Sequence, residues 1–122
     1  MQPLPIRFAI RFTLLVAALA LSACGLLKPP GSLPPGTPIS QARASFGGTT
    51  GEYALPGGGT RLEFAQGAFG RQTFMLDFDA GGRLVKSEQV LTEANFATVV
   101  PGMSAAEVRM RLGRPAQTFY IG

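Results

Sequence analysis

Two segments, TRLEFAQ and QTFMLDFD, constrain the fold more than anything else in the chain. In the first, Leu62 and Phe64 alternate with Arg61 and Glu63. In the second, Phe74, Leu76 and Phe78 alternate with Thr73, Met75 and Asp77. A period of two over this length is that of a half-buried strand. AQGAFGR, with two glycines, suits the hairpin loop between them, and DAGG suits a tight turn into a third strand, RLVKSEQVL. Residues 60–91 are therefore expected to form a three-stranded antiparallel meander with one apolar face. That face needs a cover. The candidates are short helices. ISQARASFGG has Ile39, Ala42 and Phe46 at helical spacing, with Gly47 and Gly48 as the stop. In TEANFATVV, Thr92 can cap a helix from Glu93, and Phe96, Val99 and Val100 give it an apolar side. With a third helix at 104–112, the expected class is α+β: short helices at 39–46, 93–99 and 104–112, packed on one face of the sheet.

The first two dozen residues belong to something else. Arg7 and Arg11 make a positive start, Phe12 to Leu21 are uncharged and apolar, and Ser22 and Ala23 are small residues before Cys24. This is the layout of a secretory signal, too short for a stable membrane span. The chain has one cysteine, so no internal disulfide is available to explain it. LSAC resembles the bacterial lipobox. The resemblance implies cleavage between Ala23 and Cys24 and a diacylglyceryl group on the Cys24 sulfur. Residues 1–23 are then the signal peptide. Gly25, where an Asp would resemble an inner-membrane retention signal, points to the outer membrane, with the domain on its periplasmic side. Five of the chain's ten prolines lie in GLLKPPGSLPPGTP, from Gly25 to Pro38. At about 3.1 Å per residue such a stretch reaches roughly 40 Å, so residues 24–38 are expected to be a lipidated tether. Without Arg7 and Arg11, nine basic residues face seven acidic ones, which is no nucleic-acid footprint.

An internal echo runs through the chain at an offset of 66 residues. PGTPISQARASFGGT, from Pro35, aligns without a gap to PGMSAAEVRMRLGRP, from Pro101. Pro35 and Gly36 match Pro101 and Gly102, Arg43 matches Arg109, and Gly47 matches Gly113. Ala42 lies opposite Val108 and Phe46 opposite Leu112; further on, Tyr53 faces Phe119 and Leu55 faces Ile121. A fixed period marks a repeated supersecondary unit. Residues 39–100 are read as one module and 101–122 as the start of a second, truncated one, a helix and a short strand at Gln117–Ile121. An exposed strand invites another chain, so self-association through this end is expected.

The stretch from Phe96 to Pro115, F-x-x-V-x-PGMS-x-x-E-V-R-x-x-LG-x-P, resembles the signature of the small outer-membrane lipoproteins of the BamE/SmpA/OmlA type. That family has two short helices on a three-stranded antiparallel sheet. The resemblance implies a lipid-anchored partner of the machinery that assembles proteins in the outer membrane, and a role in envelope integrity. The first copy matches less well: Pro38 stands for Ser104, Gln41 for Glu107 and Thr49 for Pro115. The best helix pair also follows the sheet instead of preceding it. The tandem layout is similar as well to the β-lactamase-inhibitor protein architecture, which implies a periplasmic inhibitor or binding module. The motif residues have roles of their own. Ser104 and Glu107 can form a capping box, Ala105, Val108 and Leu112 a stripe at helical spacing, and Gly113 and Pro115 a stop.

Catalytic chemistry has little to work with. The chain has no histidine, and its one thiol is committed to lipid. Asp77 and Asp79 share a strand face, yet a solvated edge and a turn explain them better than acid–base work or Ca²⁺ binding. GGGT, at Gly57 to Thr60, lacks the Lys of a phosphate loop. No enzyme, no cofactor and no metal site are expected. Arg109, Arg111 and Arg114 form the one basic cluster. They complement the end of a helix, and they are also the candidate surface for an acidic partner or anionic headgroups.

Overall fold

The computed structural model describes residues 28–67 and 71–122. The expected signal segment, the expected Ala23–Cys24 cleavage site and residues 68–70 of the expected AQGAFGR loop lie outside these residues. The described chain has four antiparallel strands, β1 (Gly51–Ala54), β2 (Thr60–Gln66), β3 (Gln72–Phe78) and β4 (Leu84–Gln89), in the order β1-β2-β3-β4. Three helices accompany them: α1 (Ile39–Ser45), α2 (Glu93–Phe96) and α3 (Ala105–Leu112). The class is α+β, with one strand more than expected. β1 is only four residues long and begins at a glycine, so alternation alone gives it little weight.

Register follows from the alternation. Leu62 lies opposite Leu76 and Phe64 opposite Phe74, while Glu63 lies opposite Met75 and Arg61 opposite Asp77. The turn into β4 is held by Asp79, whose Oδ1 accepts from the amides of Gly81 and Arg83, both at 3.0 Å. Gly82 there has φ +74°, which a β-carbon disfavours. A bulge next to Phe78 pairs it with Leu84 and leaves Val85 turned outward and exposed.

The first face of the sheet carries the apolar core. Leu62, Phe64, Leu76, Phe78 and Leu84 are buried with Ala42 of α1, and Leu33, Ile39, Phe46 and Phe74 pack around them. Phe46 meets Phe64 edge to face, ring centroids 5.2 Å apart. Burial of each large side chain contributes about 1.5–3 kcal/mol.

Helices do not cover one face alone. α3 lies across the second face, over Arg61, Glu63 and Thr73; Met75 of β3 and Val90, just past β4, are buried as well. The expectation of a single covered face treated Arg61, Glu63 and Asp77 as solvated. The structure pairs them under a helix instead. α2 is a single turn, shorter than the expected 93–99, with Thr92 Oγ1 accepting from the Asn95 amide.

The expected tether is shorter than residues 24–38. Pro30 is buried in a one-turn 3-10 helix, Pro30–Ser32. From Gly36 the backbone runs along the outer edge of β4. Gly36 N donates to Leu84 O at 2.7 Å, Leu84 N to Thr37 O at 2.9 Å, and Ile39 N to Gly82 O at 2.9 Å. Extended, proline-rich backbone is a good partner for an edge, and here it covers the start of β4 at Gly82–Leu84.

The two halves of the 66-residue echo share local geometry. Thr37 N donates to Pro34 O and Met103 N to Val100 O, each at 3.3 Å, with Gly36 and Gly102 at φ +87° and +94°. Both turns lead into a helix, and positive-φ glycines, Gly47 and Gly113, follow both. The halves then diverge. Tyr53 lies in β1, whereas Gln117–Ile121 forms no strand, and Phe119, Tyr120 and Ile121 are exposed. The C-terminal strand expected from the echo is therefore not formed.

Candidate functional site

The site is built where α3 ends on the second face of the sheet. α3 is fixed at its start by a capping box. The Glu107 amide donates to Ser104 Oγ at 3.1 Å, and the Ser104 amide donates to Glu107 Oε2 at 2.7 Å. These bonds hold the Glu107 carboxyl below its ordinary range, with Arg111 one turn on adding a smaller effect. At its far end the Gly113 amide donates to Arg109 O at 2.8 Å. Gly113 has φ +87°, and a β-carbon there would stand 2.9 Å from both Glu63 Oε1 and Thr73 Cγ2. Only glycine lets the chain pass this close.

Glu63 is fully buried and accepts hydrogen bonds from three segments. Thr50 Oγ1 donates to Oε2 at 2.5 Å; Tyr53 OH and the Arg114 amide donate to Oε1, both at 2.8 Å. Thr50 Oγ1 also accepts from the Ala65 amide at 3.0 Å. One carboxylate thus joins β2, β1 and the segment after α3. The Tyr53 phenol is pushed up to about 12, chiefly by burial, then by its hydrogen bond to Glu63 and by that negative charge. Beside this node, Arg61 grips Asp77 through two bonds of 2.6 and 2.8 Å, and its Nη1 donates to Met110 O at 2.7 Å. The guanidinium therefore satisfies a last-turn carbonyl of α3. Among the described residues no buried side-chain nitrogen or oxygen lacks a partner. Asp77 and Asp79 have separate roles, one in an ion pair and one in a turn.

Between α3 and the sheet runs an open trough of about 950 Å³. Ala65, Leu91, Met103, Val108 and Leu112 give it apolar walls, and Arg109 and Arg114 stand at one side. Where the trough meets β1 it passes into a more polar mouth that shares Thr50, Arg109 and Arg114 and adds Tyr53 and Thr118. Of the three arginines singled out in the sequence, Arg109 and Arg114 come together here. Arg111 does not: it lies in a separate depression with Glu107 and Ala54. Cys24 lies outside the described residues. The sequence marks Glu63 and Arg61 only as strand positions and Tyr53 only as the echo of Phe119. A charged residue between Leu62 and Phe64 reads as solvent-facing unless the helix that covers it is known.

No cluster of metal-ligating side chains occurs among the described residues, and no helix there is long and apolar enough to cross a membrane. No protein-family model, curated protein or solved structure matches the chain.

Proposed function

We propose that the chain is a lipid-anchored periplasmic binding or scaffolding lipoprotein, held to the outer membrane through Cys24 and linked to outer-membrane protein assembly or envelope integrity. One observation carries the reading. The segment that resembles the BamE/SmpA/OmlA signature folds as a capped helix laid on an antiparallel sheet, with its Ser104, Glu107 and Gly113 in the structural roles that the motif calls for. The polar groups beneath it serve one another. That arrangement suits a binding surface and gives no poised nucleophile or base. In this reading the protein is not an enzyme.

Co-purification of the full chain from membranes in mild detergent tests the proposal. Barrel-assembly subunits are the expected partners. Replacing Cys24 with Ala is expected to abolish lipid labelling and move the domain to the soluble fraction. A membrane location unchanged by that substitution, with no lipid on Cys24, would overturn the anchor.

A second reading, a periplasmic inhibitor or binding module of the β-lactamase-inhibitor type, draws on the repeated turn and helix at Pro35 and Pro101. There Pro101–Gly122 is the start of a second module, whose helix also covers the first sheet. Recovery of a single soluble enzyme, in place of membrane subunits, would favour it.

A further inference from the structure

The internal echo provides a template for what the trough is built to hold. In the first copy, Arg43 of α1 reaches nine residues on to Glu52 of β1, through bonds of 2.5 and 3.0 Å. In the second copy, Arg109 occupies the place of Arg43, and the place of Glu52 is taken by Thr118. Arg109 and Thr118 do line one mouth, but Thr118 offers no carboxylate, and the Glu52 that lines the same mouth is held by Arg43. Among the described residues neither Arg109 nor Arg114 forms an ion pair. Glu63 is near, yet it is buried and already accepts from Thr50, Tyr53 and the Arg114 amide. Two exposed guanidinium groups therefore line one mouth at the end of an apolar trough, where the carboxylates nearby, Glu52 and Glu63, are engaged by other partners.

We propose that the trough binds an extended peptide segment of a partner protein, with apolar side chains against Leu91, Met103, Val108 and Leu112 and a carboxylate on Arg109 and Arg114. The proposal builds on the reading of the chain as a binding module and names the chemistry of the partner. The carboxylate supplies what Glu52 supplies in the first copy, and planar guanidinium groups suit it. The apolar walls provide contact area without sequence demands, and the charge at the mouth sets direction and register.

The test uses the full lipidated chain in nanodiscs of zwitterionic lipid, which add no anionic headgroups. The probe is a dye-labelled peptide of alternating Leu and Ser closed by two Asp, with a control closed by two Lys. Anisotropy is expected to show the Asp peptide bound at least about tenfold more tightly, with the preference falling as salt rises. Arg109→Gln and Arg114→Gln are each expected to weaken it by about tenfold. Both residues are exposed, so circular dichroism and the unfolding midpoint stay unchanged. Arg111→Gln, in the separate depression, is the control without effect, and Val108→Asp weakens both peptides. Equal binding of the two peptides, or indifference to both arginine variants, would overturn the proposal. So would a dimer in sedimentation whose crosslinks place Phe119–Ile121 of a second copy against Val108 and Leu112. Loss of peptide binding alongside recovery of assembly subunits removes this site and leaves the scaffold reading in place. Peptide binding without those subunits does the reverse.

Discussion

Glu63 and Gly113 show how two residues decide where a helix lies. A carboxylate in the middle of a β-strand, buried completely, is stable only because three donors meet it. Glu63→Ala leaves those donors facing one another, and urea unfolding is expected to show a loss of about 3 kcal/mol. Glu63→Gln keeps the shape and one acceptor, and is expected to cost less. Gly113→Ala meets both a positive φ and a contact of 2.9 Å with Glu63 and Thr73, so a loss of about 2 kcal/mol is expected in the same measurement. Tyr53 adds a pH dependence. Its folded value, about 12, lies above the ordinary 10.0, so the fold favours the neutral phenol. This contribution is whole below pH 10 and fades as pH rises from 10 to about 12. Alkaline titration of stability is expected to lose that slope in Tyr53→Phe. Gly113 as the stop of the helix is legible in the chain, but the roles of Glu63 and Tyr53 are not. Glu63 sits in a clean alternation, and alternation says which residues share a face without saying whether water or a helix covers it.

At the scale of elements, the sequence was most informative where a pattern was long. β2 and β3 have seven residues each and lie where TRLEFAQ and QTFMLDF place them. The third strand and the capping box of α3 were legible for the same reason: each rests on several residues that agree. β1 was missed as a strand because GEYA is too short to show a period. The tether was drawn too long because proline density speaks for extended backbone and is silent on what that backbone pairs with. Two substitutions test these elements. Phe78→Asp places a charge in the first-face core, where Phe78 is 1% exposed, and is expected to cost several kcal/mol in chemical unfolding. A variant as stable as the parent would mean that the strand faces are misassigned. Ser104→Ala removes one half of the capping box and is expected to cost about 1 kcal/mol. Its effect is expected to come with weaker binding of α3 to the sheet, read as faster amide exchange at Gly113 and Arg114.

Across the whole molecule, the sheet has two different edges. Gly36–Ile39 pairs with Gly82–Leu84 at the start of β4, while no described segment pairs with the outer edge of β1. The exposed Phe119, Tyr120 and Ile121 follow a segment that passes that second edge. Deleting residues 116–122 is expected to leave the fold intact, since both buried faces are complete by Arg114. It is also expected to reduce self-association, as sedimentation of the unlipidated forms would show. An unfolded deletion would mean that the tail is integral to the sheet. In the proposed lipid-anchored form, the docked start of the domain sets how far it can reach. With Pro30 buried, five residues, Gly25 to Pro29, separate the proposed lipid on Cys24 from the fold, a span of at most about 18 Å. A domain leashed that closely searches in two dimensions. It meets partners embedded in the same leaflet at a high effective concentration and has almost no reach toward those free in the periplasm. The weak, transient contacts proposed for the open trough would then suffice, because in that form the membrane supplies the encounter rate that affinity would otherwise have to provide.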